Sequence, residues 1–267
     1  MYNLASNELH YRDLDKCYFL IMTFKTTIPI MKEGEIKKQE IYLFYGCNLQ
    51  GVRKFIDYFF VSEYTKTSDW YNFLLNLKKR NLEVVLYASI YDNKALKDAL
   101  LLAFSDIKIY KSYYDVYSVL SKYFNERYSV TSLNIIRNMY VSETIDDYNN
   151  YVNLFMEEYS SSQFIIDILE KKIRDVKVYY DIEYIIRKHI VSFYFVRDNE
   201  RRIRLLSKSK SYFNNINDFL EPLIPLISRM ETRTYCPKKE WNLLANTLYL
   251  QNKELLKCYF WCIILHK

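Results

Sequence analysis

The sequence predicts an α/β fold built on one mixed sheet, and three observations carry that expectation. Segments of strand character come first and then alternate with two amphipathic helices, in the order β-β-β-α-β-α-β. A long middle stretch, from Ser112 to about Val191, loses strand character and shows apolar residues only at helical spacing. Half of the 267 residues are hydrophobic, with three glycines and four prolines, so the chain has a substantial core to bury and few of the residues that punctuate loops.

The elements follow in order. From Lys16 to Phe24 the run is continuous, apolar and aromatic, as suits a strand buried on both faces. Glu33, Gly34 and Glu35 supply a hairpin turn, and Glu40 to Tyr45 is the returning strand. Two of the three glycines, Gly46 and Gly51, then fall within one turn before a third strand, Arg53 to Val61. Thr67, Ser68 and Asp69 offer an N-cap to a helix whose apolar face is Trp70, Phe73, Leu74 and Leu77. Glu83 to Ser89 reads as a buried strand, Asn93 to Phe104 as a second amphipathic helix and Ile107 to Tyr110 as a short strand. Beyond the helical block, which includes Ile145 to Phe155 and Phe164 to Val176, Phe193 to Val196 leads into a basic run. That run is Arg197, Arg201, Arg202, Arg204, Lys208 and Lys210. Helices around Ile216 to Met230 and Trp241 to Leu265 close the chain. The order is that of an RNase H-like core. It divides into residues 1–111 as the first part of the core, 112–191 as an all-helical insertion, and 192–267 as the rest of the core with the basic segment and closing helices.

Composition excludes several classes of function. No run reaches the roughly eighteen apolar residues that a membrane span needs, and Met1 to Asp15 is too polar for a signal peptide, so a cytoplasmic protein without a membrane partner is expected. The five cysteines, Cys17, Cys47, Cys236, Cys258 and Cys262, include no Cys-x-x-Cys pair and read as reduced core residues. His10, His189 and His266 make no ligand spacing, so no zinc site is expected. Phosphate-loop, dinucleotide and nucleophile-elbow motifs are absent from the sequence. The 28 tyrosines read as codon bias, and a formal net charge of +6 permits nucleic-acid binding without demonstrating it.

Three stretches together resemble the mutator-type insertion-sequence transposases. The meander Glu35 to Gly46 followed by Asn48-Leu49-Gln50-Gly51-Val52-Arg53 is similar to the family's strand, glycine, polar turn, glycine, basic residue pattern. Trp70 to Leu82 resembles its Trp-x-x-Phe-Leu-x-x-Leu-x-x-Arg-Gly-Leu helix, with Asn81 in the glycine's place, a residue that also accepts left-handed backbone angles. Thr234 to Glu240 looks like its Phe-Pro segment, with Cys236 for phenylalanine.

The resemblance implies metal-assisted phosphoryl transfer on DNA, which needs two Asp and one Glu at one end of the sheet holding two divalent cations about 4 Å apart. The matching positions here depart from that set. The first strand offers Met22 where the family has its first Asp. Lys94 to Ala99 matches the helix start after the second Asp, which puts Tyr91 at the ligand position and Asp92 one residue away. Asp92 also reads as a helix N-cap. Ser112-Tyr113-Tyr114-Asp115 lacks the family's Cys-x-x-His, and alignment of Arg204 to Lys210 puts Lys210 where its glutamate stands. The family's end-recognising N-terminal region has no counterpart before the first strand, so end recognition is expected to be lost.

Three readings follow. The first is a transposase-derived protein without catalysis, needing no cofactor, that contacts DNA through Arg197, Arg201, Arg202, Arg204, Lys208 and Lys210. That run also reads as a solvated helix face. The second is an active enzyme whose site is rearranged around Asp92 with Glu200 or Glu221, and Asp13 or Asp15, holding Mg or Mn. The third is a structural protein whose retained fold serves assembly, including homo-oligomers. Salt-sensitive DNA binding separates the first from the third.

Overall fold

The computed structural model describes residues 10–112, 126–191, 194–231 and 238–259. Five strands form one mixed sheet: β1 (Cys17–Lys32), β2 (Glu35–Asn48), β3 (Arg53–Val61), β4 (Val84–Ile90) and β5 (Lys108–Lys111), in spatial order β3-β2-β1-β4-β5. Strands β1, β2 and β3 are an antiparallel meander, and β4 lies parallel to the start of β1, from Cys17 opposite Val84 to Met22 opposite Ser89. The β1–β2 hairpin closes at Glu33 and Gly34, whose φ values of 54° and 81° suit the tight turn that matches strand twist.

Strand β1 is longer than the apolar run in the sequence because its second half keeps pairing. Lys25, Thr26 and Thr27 stand opposite Tyr42, Ile41 and Glu40, and the far end gains a parallel bridge from Ile30 to Phe213. Gly46, buried in β2, is required by close approach: a Cβ there would lie 2.3 Å from the Tyr18 ring and 2.8 Å from Ile56. Gly46→Ala is therefore expected to destabilise the protein by about 1–3 kcal/mol through overpacking. An unchanged urea midpoint would show that the Tyr18 ring can move aside.

Helices cover the sheet. The first, α1 (Thr67–Lys79), packs Trp70 against Tyr42, Phe44 and Phe59. Its cap differs from expectation: Lys66 is the N-cap, and Asp69 accepts the Lys66 backbone N–H at 2.8 Å, one half of a capping box. Asn81 follows this helix with φ 82°, the backbone angle that the glycine of the similar motif would take. Helix α2 (Lys94–Ala103) buries Leu96, Ala99, Leu100 and Ala103.

The chain divides into two compact units, residues 1–109 with 194–267, and residues 110–193. The second unit contains α3 (Glu126–Val141), α4 (Ile145–Glu158), α5 (Gln163–Lys177), a 3-10 turn (Val178–Asp181) and α6 (Tyr184–Val191). Its interior is built on Tyr140, Phe155, Tyr179 and Ile186, with the buried Arg187 guanidinium 3.9 Å from the Tyr180 ring centroid.

Back in the first unit come α7 (Tyr194–Ser207), α8 (Ile216–Glu231), α9 (Lys238–Gln251) and α10 (Lys253–Leu256). The expected single closing helix from Trp241 is interrupted after Gln251. There the Asn252 side-chain amide donates to the Leu248 carbonyl at 2.9 Å and competes with the helical ladder. Residues 260–265 of that expectation, and 234–237 of the Phe-Pro-like segment, lie outside the described residues. No helix among the described residues is long and apolar enough to cross a membrane. Cys17 and Cys47 are buried thiols, whereas Cys258, expected in the core, is exposed; Cys236 and Cys262 lie outside the described residues.

Candidate functional site

Parallel pairing of β4 with the first part of β1 brings the carboxyl-terminal end of β4 beside Met22, and open α/β sheets place their ligands outside the carboxyl ends of such strands. Met22 lies opposite Ser89 on one side and Tyr45 on the other, and the Tyr91 backbone N–H donates to Thr23 Oγ1 at 3.2 Å. Paired residues project to the same face of a sheet and neighbours along a strand to opposite faces. Thr23 therefore shares the α1 face with Phe44, while Met22 and Phe24 occupy the other face with Tyr45 and Leu43.

That second face receives α7, which packs against β1. Glu200, Ile203 and Ser207 recur at helical spacing and are buried. The Arg204 guanidinium donates from Nε and Nη2 to Glu200 Oε1 at 3.0 and 2.6 Å and sits 5.4 Å from the centroid of the Phe24 ring. The Tyr91 side chain lies close enough to this pair to act electrostatically on both members. Burial pushes the Glu200 carboxyl above its ordinary pKa, with Arg204 and Tyr91 opposing the rise. Burial alone would lower Arg204, but the Glu200 carboxylate carries it upward. The edge is thus a closed group: thioether, aromatic ring, phenol, and one carboxylate already held by a cation.

Asp92 is exposed, and the cap assigned to it belongs to its neighbour: Asn93 Oδ1 accepts from the Leu96 N–H at 3.0 Å. Asp15 accepts from Asn48 and from Lys54, each at 3.1 Å; Asp13 and Glu221 are exposed. Among the described residues no cluster of three or more His, Cys, Asp or Glu side chains able to hold a metal ion is formed.

Lys210 lies at the far end of β1. It pairs with Asp218 at 2.7 Å and sits over Phe213, whose backbone hydrogen-bonds Pro29 and Met31. Pro29 lies seven positions beyond Met22 along β1, about 23 Å at the rise of an extended strand, so Lys210 and Met22 do not share a site. The acidic residue that α7 delivers beside Tyr91 is Glu200, ten positions earlier in the chain. Its spacing of four to Arg204 marks an ion pair along one helix, but nothing local shows that this pair faces the sheet.

The basic run is divided. Its stretch up to Ser207 is helical, with Arg201 and Arg202 exposed, and Lys208 and Lys210 exposed just beyond. Arg204 is engaged by Glu200 and Lys210 by Asp218. The Arg197 side chain, and residues 113–115 of the Cys-x-x-His counterpart, lie outside what is described.

Residues 4–232 match the model of a known family, described as "Transposase, Mutator family". No curated protein matches the chain.

Proposed function

The chain belongs to the Mutator family of transposases, and from that premise we propose that it is a DNA-binding descendant whose strand-cleavage chemistry has been lost. The strand order β3-β2-β1-β4-β5, with β4 parallel to β1, supports an RNase H-like reading of the sheet. The separate helical unit of residues 110–193 supports reading that block as an insertion between residues 1–111 and 192–267.

The single observation that carries the loss of chemistry is the Glu200 carboxylate, buried on α7 and held by two hydrogen bonds from Arg204. Two divalent cations about 4 Å apart need several ionised oxygen donors. Hard ions such as Mg²⁺ prefer carboxylate and water to thioether or phenol. Here Met22 and Tyr91 supply no carboxylate, and Arg204 places a fixed positive charge where a metal would need a negative one. The residues do not fit a metal pair, and we derive no step through one.

What remains is electrostatic. Arg201 and Lys208 are exposed on and just after α7, and the chain carries a formal charge of +6. Cations so placed attract phosphates and release their counterions, which gives binding that weakens with salt. A DNA ligand accords with a cytoplasmic site of action.

The test is a cleavage and strand-transfer assay on end-labelled duplex DNA, with the full chain in Mg²⁺ and then Mn²⁺. No product above that of Glu200→Gln and Asp92→Asn variants is expected. Metal-dependent product from the wild-type chain, abolished by either substitution, would sink the proposal.

A further inference from the structure

Helix α7 separates its residues into two parallel stripes. Glu200, Ile203 and Ser207 are buried. One position further on in each case, Arg201, Arg204 and Lys208 are exposed, the two on the helix about 100° further round at 3.6 residues per turn. Lys208 follows the last turn directly, and its backbone N–H bonds to the Leu205 carbonyl at 3.2 Å in a 3-10 turn that sets it over the exposed Leu205, about 40° round from Arg201. Three cations therefore run along one side of the helix beside the sheet edge occupied by Phe24 and Tyr91. Arg202, though exposed, lies about 100° away from Arg201 in the other direction from Arg204.

We propose, resting on the DNA-binding reading above, that Arg201, Arg204 and Lys208 form a metal-independent track for one strand of a DNA backbone, with Arg204 as its ordered centre. Seven residues of helix span about 10 Å, and one strand presents a phosphate about every 3.4 Å of duplex axis, so the track faces about three consecutive phosphates. Arg204 differs from an ordinary surface arginine. Glu200 holds its Nε and one Nη2 donor and Phe24 lies beside the guanidinium, while 44 % of the side chain remains exposed. Its rotamer is set before a ligand arrives, so less freedom is lost on binding. The positive charge that excludes a metal pair from this edge is, on this assignment, what the phosphate meets instead.

The experiment is fluorescence anisotropy of a labelled short duplex with the full-length chain, titrated over a range of salt in EDTA. Wild-type binding is expected to need no divalent cation. Arg201→Gln, Arg204→Gln and Lys208→Gln should each lower the slope of log affinity against log salt by about one and weaken binding roughly tenfold near 0.1 M salt. Arg202→Gln and Lys210→Gln should leave the slope unchanged, the first lying off the track and the second lying beyond the helix, over Phe213 at the far end of β1. Arg201 and Lys208 are surface residues, so their variants decide the matter even if Arg204→Gln folds poorly. Equal slope losses in all five variants would overturn the track while leaving DNA binding intact. A wild-type chain that binds no duplex at all would overturn the DNA-binding reading and the track with it.

Discussion

Replacing Asp57 by alanine is expected to lower the unfolding free energy by about 3–5 kcal/mol, the usual cost of stranding a buried charge. Asp57 is 1 % exposed on β3, and its partner Arg80, just past α1, is 9 % exposed. The guanidinium also donates to the Arg12 carbonyl at 2.9 Å and to the Ile56 carbonyl at 3.2 Å. Ile56 is available because a bulge sits there: Phe44 pairs with Asp57 and Tyr45 with Phe55, leaving Ile56 without a partner in the β2–β3 ladder. His10 Nδ1 lies 3.0 Å from Asp57, and that hydrogen bond raises the His10 pKa against the lowering effect of burial. Removing the carboxylate leaves Arg80 and the bulge carbonyl without the charge that organises them.

Urea denaturation at neutral pH measures the loss, and Asp57→Asn, which keeps an acceptor for Arg80, should lose less. An Asp57→Ala/Arg80→Met double variant should be less destabilised than the sum of the single ones, since no buried charge is left unpaired. A deficit under about 1 kcal/mol for Asp57→Ala would rank the pair with exposed ion pairs and refute its structural role.

Trp70→Ala is expected to cost a similar amount, about 3–5 kcal/mol, by opening a cavity between α1 and the sheet. Trp70 is fully buried, with ring centroids 4.4 Å from Phe59 and 5.1 Å from Tyr42. Phe44 and Phe73 complete the aromatic group, and edge-to-face contacts there add to the area buried. At the few degrees per kcal/mol typical of chains this long, the melting temperature should fall by roughly 6–20 °C. Trp70→Phe should recover much of that. A melting temperature within about 2 °C of wild type would mean that the cluster collapses to fill the space.

Both predictions involve the Trp70 to Leu82 stretch, through Arg80 in the first and Trp70 in the second, and that stretch also shows how far a linear reading reaches. Its apolar residues sit at spacings of three and four, so the helix and its buried face are written locally. Asn81 stands where backbone geometry demands a positive φ, which residue type alone suggests. That Arg80 would close on Asp57 is not local information, because the partner lies on a strand whose bulge is set by pairing with β2.

The candidate site divides the same way. Met22 and Tyr91 were legible as neighbours at the sheet edge, because strand order and resemblance both point there. Lys210 was misplaced because counting along a helix and the loop after it fixes neither the helix's height against β1 nor which of its faces meets the sheet. Glu200 is the residue delivered, and its ion pair with Arg204 looked from sequence like any solvated pair at a spacing of four.

The sequence by itself determined the strands, the helices, the family and the scarcity of acidic residues at the edge, since periodicity and residue type are properties of short stretches. Only the tertiary structure decided that Glu200 is buried with Arg204 as its partner, that Asp92 is exposed and that Lys210 pairs with Asp218. Those outcomes depend on which helix face packs against which strand register, and burial energy summed over many distant residues settles that choice.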